Sequence, residues 1–252
     1  MHIAKMNKKV YFTTSWDDGS IYDMKLAELL LKYGIKATFY IPIKNVEGRK
    51  TLSAKQIQEI SQYFEIGSHT YSHVRLTSIL YQIAREEIKM GKSELEHIVG
   101  KSITAFCPPG GNWNKYILQL AKEENILFLR STGYMRMRTL KEKNNNLLHT
   151  TLQLYPHKLY SYLISTVRRV DIEGMKLILE NFKWISEWNR FSRKLLYNSK
   201  VEGGVFHLWG HSWEIEELNL WGTLESFLKD LISEKNKIIF CTNSEVWEND
   251  NI

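Results

Sequence analysis

The chain has 252 residues, 43% of them apolar and 25% charged, a balance that excludes an intrinsically disordered protein and suits a globular one. Its 34 basic and 28 acidic residues leave a net charge of +6, but the positive side chains are scattered, which speaks against nucleic acid as a partner. Cys107 and Cys241 make neither a disulfide framework nor a Cys/His zinc spacing, and no run of about 18 apolar residues exists to insert in a membrane.

The length favours one domain over residues 1–252, with a variable excursion at about 136–200. The opening MHIAKMNKKVYFTTSW lacks the apolar stretch of a secretory leader, so the chain as given reads as cytoplasmic; a trimmed leader would hide export. Oligomeric state leaves no mark in the sequence. Aromatic residues make up 12%, with eight Trp, most of them expected in the core.

In chain order, Val10–Trp16 is a β-branched and aromatic run that reads as a strand ending at Asp17-Asp18-Gly19. Tyr22–Tyr33 has apolar residues at helical spacing and closes on Gly34. Ala37–Ile43 is a second strand, stopped near Pro42. Ser53 and Gln56 form a capping box for the helix that follows. Phe64–Ser68 is a third strand, and a long helix over Leu76–Val99 ends at Gly100.

Ile103–Cys107 is a strand cut off by Pro108-Pro109-Gly110-Gly111; Asn114–Glu124 is helical and Ile126–Arg130 strand-like. Arg136–Asn146 is polar and Asn-rich, suited to a mobile excursion. Leu147–Leu154 reads as one strand, and Leu177–Tyr197 as mostly helical with Trp184 and Trp188 both in the core. Val205–Trp209 is a strong strand ending at Gly210-His211, followed by a helix over Gly222–Lys235 and a last strand over Lys237–Thr242. Strands alternating with helices at this spacing predict parallel strands with right-handed crossovers.

Four polar clusters fall where strands end, the place where parallel α/β folds build their sites: SWDDGS, GSHTYSH, CPPGGNW and HLWGHSWE. Asp17 and Asp18 are adjacent and, on extended backbone, point to opposite sides, so one can hold a metal while the other faces a water. Asp-Asp-Gly is equally a common turn. His69 and His73 have the spacing that places two imidazoles on one face of a helical turn. Two His and one carboxylate leave open positions for water and substrate, as catalytic metal sites do.

The CPPGG segment can wall a pocket and present backbone N–H groups to an oxyanion, or simply reverse the chain. His211 ends an apolar strand and suits a general acid or base; His207, on the same face, reads better as a hydrogen-bonded core residue.

Together and in this order the four clusters resemble the polysaccharide deacetylase family, the nodulation-factor deacetylase homology group of carbohydrate esterase family 4. The resemblance runs from about Val10 to Thr242. It implies an α/β fold, a distorted (β/α) barrel of about seven parallel strands. It also implies a divalent metal, zinc foremost with cobalt or nickel accepted, and hydrolysis of an N- or O-acetyl group on a carbohydrate substrate. Matched to the family's motifs, Asp17 becomes the general base, Asp18, His69 and His73 the metal ligands, and His211 the general acid. Pro109, Gly110, Gly111 and Trp209 become the substrate wall.

The chain departs from the family at Cys107, where members often carry an Arg that orients the base, and at LRSTGYM, which replaces an Asp/Trp motif. Arg130 closes the next strand and is the expected substitute. These departures leave room for an alternative, a metal-dependent amidohydrolase acting on a small non-sugar C–N bond. A further alternative is a non-catalytic carbohydrate-binding relative, against which the retained Asp17, Asp18, His69, His73 and His211 speak.

Overall fold

The computed structural model describes residues 9–133, 135, 141–142, 146–168 and 172–249, so most of the polar stretch expected to be an excursion, 136–140 and 143–145, lies outside the described residues. The β-branched run forms β1 (Val10–Asp17), the axis of the sheet. Alternation splits its side chains. Phe12 packs outward on Phe206 and Phe227, while Thr13 accepts a hydrogen bond from Asn243 Nδ2 inside, at 2.8 Å.

Around β1 run β2 (Thr38–Ile41), β3 (Glu65–Ser68), β4 (Ala105–Phe106) and β5 (Phe128–Arg130), then β6 (Lys141–Glu142), β7 (Leu147–Leu148), β8 (Leu152–Gln153), β9 (Gly204–Gly210) and β10 (Ile238–Cys241). The path is β6-β7-β5-β4-β3-β2-β1-β9-β8, and β10 pairs with β1 beside it. One flank of β1 bonds β9 from Val10 to Trp16; the other bonds β10 along Val10–Thr13 and β2 along Ser15–Asp17. Every pairing is parallel except β6 with β7. Only residues 149–151 separate β7 from β8, the two far flanks of the path, so the sheet curls into a distorted barrel. The excess over about seven expected strands comes from two-residue pairings such as β6, β7 and β8.

Helices α1 (Asp23–Lys32), α2 (Ala54–Ser61), α3 (Tyr81–Val99) and α4 (Lys115–Glu123) follow the first four strands. Next come α5 (Leu159–Arg168), α6 (Ile172–Asn181) and α7 (Trp188–Glu202) between β8 and β9, then α8 (Ser212–Glu217), α9 (Trp221–Ser233) and α10 (Asn243–Glu248). The outer core lies between sheet and helices, where Leu26, Leu30, Phe206, Phe227 and Leu228 are buried. Each such side chain contributes about 1.5–3 kcal/mol by leaving water. The barrel interior is layered. Below, Val246 of α10 and Trp247, stacked 5.4 Å from Phe128, plug the bottom; above lies a polar layer of Thr13, Ser15, His207 and Asn243, and over it the strand ends that carry the clusters.

Three expected elements differ. Leu147–Leu154 is two strands, because β7 bonds β5 while β8 bonds β9, and the chain crosses between them. Leu177–Tyr197 is broken by a 3-10 turn at Phe182–Trp184, since Asn181 Nδ2 donates to the Leu177 carbonyl at 2.7 Å and ends α6. Trp188 is buried, but Trp184 lies on the surface beneath the Arg190 guanidinium. The long helix begins at Tyr81, not Leu76, because Leu80 is extended. Both cysteines are free and buried. Among the described residues no helix is long and apolar enough to cross a membrane.

Candidate metal centre and active site

At the end of β1, Asp18 adopts φ 77° and Gly19 φ 56°. A Cβ on Gly19 would lie 2.7 Å from Ile41 Cγ2, so only glycine passes. The two aspartates therefore diverge through a left-handed turn rather than through strand alternation alone.

His69 and His73 do not share a helical turn. They lie on a loop in which Thr70 (φ 69°) and His73 (φ 59°) are left-handed, a strain that surrounding contacts must hold. Those contacts come from α3. Glu87 Oε2 accepts from the Tyr71 and Ser72 N–H groups at 3.1 and 2.7 Å, and Gly91 lets the loop approach so closely that a Cβ there would meet the Thr70 carbonyl carbon at 2.5 Å.

Folded this way, Asp18, His69 and His73 each offer one ligand atom within 4.8 Å of one another, all buried. His73 Nε2 is 2.9 Å and His69 Nε2 3.4 Å from Asp18 Oδ1. His69 Nδ1 donates to the Cys107 carbonyl at 2.6 Å, which fixes the tautomer and turns the Nε2 lone pair toward Asp18. Trp213 Nε1 donates to Asp18 Oδ2 at 2.8 Å, leaving Oδ1 for a cation. Two imidazoles and a carboxylate with their ligand atoms this close fit a divalent ion. Burial alone would raise the Asp18 carboxyl, but hydrogen bonds from His69 and His73 outweigh it and hold it well below the usual range.

Asp17 is buried beside this centre and pairs through Oδ1 with Arg130. Arg130 is wholly buried, its guanidinium 5.1 Å from the Tyr40 ring and 4.9 Å from the Trp209 ring. Burial opposes its charge, and the Asp17 carboxylate more than offsets that. The Cys107 Sγ stands 3.8 Å from Asp17 Oδ2, and burial pushes this thiol well up, so it stays protonated. Asp17, His69 and Cys107 also cluster within 4.8 Å, but a neutral thiol, a committed Nδ1 and an Arg-paired carboxylate make a poor cation site.

His211, just past β9, has Nε2 4.0 Å from Asp18 Oδ2 and donates from Nδ1 to Glu214 Oε2 at 2.7 Å. Burial works against its charge, yet the Glu214 hydrogen bond and the Asp18 carboxylate raise it to about 9. His207 goes the other way: burial lowers it to about 3, and the neutral ring donates to the His149 carbonyl and accepts from Ser15.

In the wall loop, the Gly111 N–H is spent on the Pro108 carbonyl at 2.8 Å, so it does not point at the pocket. Pro109 has no N–H to give, and Gly110 remains. Trp209 is buried against Arg130, positioning the guanidinium and offering little surface to a substrate. Sequence reasoning missed Trp213 and Glu214, although Glu214 stands at helical spacing from His211, where the two side chains meet.

The polysaccharide deacetylase family model matches residues 4–128, just under half of the chain. Among curated relatives, the Bacillus subtilis (strain 168) protein YlxY, itself uncharacterized, is 28% identical over 108 residues, 43% of this chain and 33% of that one. The peptidoglycan-N-acetylmuramic acid deacetylase PdaA of the same strain is 23% identical over 182 residues, 70% of this chain and 66% of that one. The chain spans between a third and two fifths of the length of the first curated relatives it matches. Among solved structures, the Xyl-CE4 domain of a multidomain xylanase from the hindgut metagenome of Trinervitermes trinervoides shares the fold with a TM-score of 0.60 at 17% identity, covering 98% of this chain and 93% of that one.

Proposed function

We propose that the chain is a metal-dependent hydrolase that removes an acetyl group from an N-acetylated sugar or polysaccharide, with residues 1–252 acting as one catalytic domain. The observation that carries this reading is the convergence of Asp18, His69 and His73 between an Arg130-held Asp17 and the Glu214-held His211. PdaA, named as a peptidoglycan deacetylase, supports the substrate class.

Asp18, His69 and His73 are the residues that would hold the ion, and zinc suits two imidazoles and a carboxylate best. Bound there, it supplies Lewis acidity to the acetyl carbonyl and to the attacking water. Asp17 takes a proton from that water at Oδ2, because Oδ1 is held by Arg130. Within the wall loop, Gly110 is the residue left to offer an N–H to the developing oxyanion. The C–N bond then breaks as His211 delivers a proton from Nε2 to the departing amine, so that water and amide become acetate and amine. The pairing of Asp17 with Arg130 supports Arg130 as the substitute for the motif arginine missing at Cys107.

The test is the Asp17→Asn variant. It keeps its zinc while acetate release from N-acetylated glycans falls by about 10²–10⁴-fold. A variant that loses the metal and keeps turnover would reverse the assignments of Asp17 and Asp18.

A further inference from the structure

His211 follows β9 directly as the N-cap of α8, and α8 has no side-chain cap. Glu214 holds the third helical position, from which a glutamate ordinarily reaches back to the N-cap backbone N–H. Here it does something else: Oε2 accepts from the imidazole Nδ1 of the N-cap residue at 2.7 Å. The same oxygen accepts from Gln153 Nε2 at 3.0 Å, and Gln153 Oε1 in turn meets His157 Nε2 at 2.7 Å. The Gln153 carbonyl is pinned by Trp188 Nε1, also at 2.7 Å. The carboxylate is thus anchored twice, once on α8 and once on the segment between β7 and β9, and it is 9% exposed.

We propose that Glu214 is the positioning residue for His211: held by Gln153, it accepts the hydrogen bond from Nδ1, which keeps the proton on that nitrogen, and aims Nε2 toward Asp18. The inference rests on the deacetylase reading and deepens it. A histidine that must hand a proton to an amine from Nε2 needs its other nitrogen occupied by an acceptor, since that hydrogen bond sets tautomer and ring orientation. Among the described residues no other carboxylate contacts Nδ1. The segment that brings Gln153, His157 and Trp188 is therefore part of the acid's support, though it lies in the part of the sequence expected to vary.

The experiment compares wild type with Glu214→Ala and Gln153→Ala, all zinc-loaded, on an N-acetylglucosamine oligomer and on an aryl acetate, whose leaving group departs without a proton. With Glu214→Ala, kcat on the amide falls about 10²-fold while KM and the aryl acetate rate stay within about threefold, the mark of lost general-acid help. Gln153→Ala shows the same selectivity in weaker form, and Glu214→Asp recovers part of the loss. Equal losses on both substrates, or none on the amide, would overturn the proposal. A second readout is independent of sugar turnover: the downfield proton of His211 Nδ1, seen by NMR of ¹⁵N-histidine protein, is lost in Glu214→Ala. Its persistence overturns the contact. A wild type that bears this proton and cleaves the aryl acetate but no acetylated sugar would refute the substrate reading and leave the role of Glu214 standing.

Discussion

Cys107, just past β4, and Arg130, at the end of β5, both meet the Asp17 carboxylate. A thiol is short and a weak donor; an arginine one strand over reaches the same carboxylate and is clamped between two aromatic rings. Removing the guanidinium leaves a buried carboxylate unpaired, so Arg130→Met is expected to lose about 3–5 kcal/mol in urea unfolding. A loss within the range of a surface substitution would show that Asp17 does not depend on it. His211 gives a second test at this scale. Its folded value, about 9, lies above the ordinary 6.5. The pairing with Glu214 and Asp18 thus adds stability in full below about 6.5, and this is lost as pH rises through about 9. An NMR titration of the ion-free protein is expected to place the midpoint near 9, and zinc at Asp18 should move it down by adding positive charge. A midpoint near 6.5 in the ion-free protein would contradict the pairing.

Elements closed by a local signal were the legible ones. The Ser53–Gln56 box caps α2 as expected, with both reciprocal hydrogen bonds present, and Ser53→Ala is expected to cost about 1 kcal/mol in thermal or urea unfolding. Gly34 and Gly100 end their helices in left-handed conformation, as their positions foretold. What escaped is what tertiary contact decides. The convergence of His69 and His73 looked helical by spacing, yet it depends on Glu87 and Gly91 of a helix that comes later in the chain. Leu147–Leu154 carried no sign that its halves would join opposite flanks of the sheet. Helices α8 and α10, each of six residues, are too short for periodicity to mark. Gly91 offers the sharpest element-level prediction. Gly91→Val pushes the His73 loop off α3, and zinc affinity by competition titration is expected to weaken about 10–100-fold, as when a ligand's outer support is lost. Unchanged affinity would mean the loop holds its shape without α3.

At the scale of the whole molecule, the barrel is a stack: an α10 plug, a polar layer around His207 and Asn243, and the site above. The four clusters were readable because parallel strands bring their ends to one face wherever they lie in the chain. The supporting residues were not, since Glu214 and Gln153 meet across 61 positions of sequence. The proposed function stands or falls on whether this face holds a catalytic ion. The most direct measurement is acetate release from an N-acetylated glycan by metal-stripped protein, before and after titration with zinc. No release is expected without metal, and recovery is expected to saturate near about one equivalent per chain. Release that is indifferent to stripping, or a stripped protein that binds no zinc with Asp18, His69 and His73 intact, would contradict it.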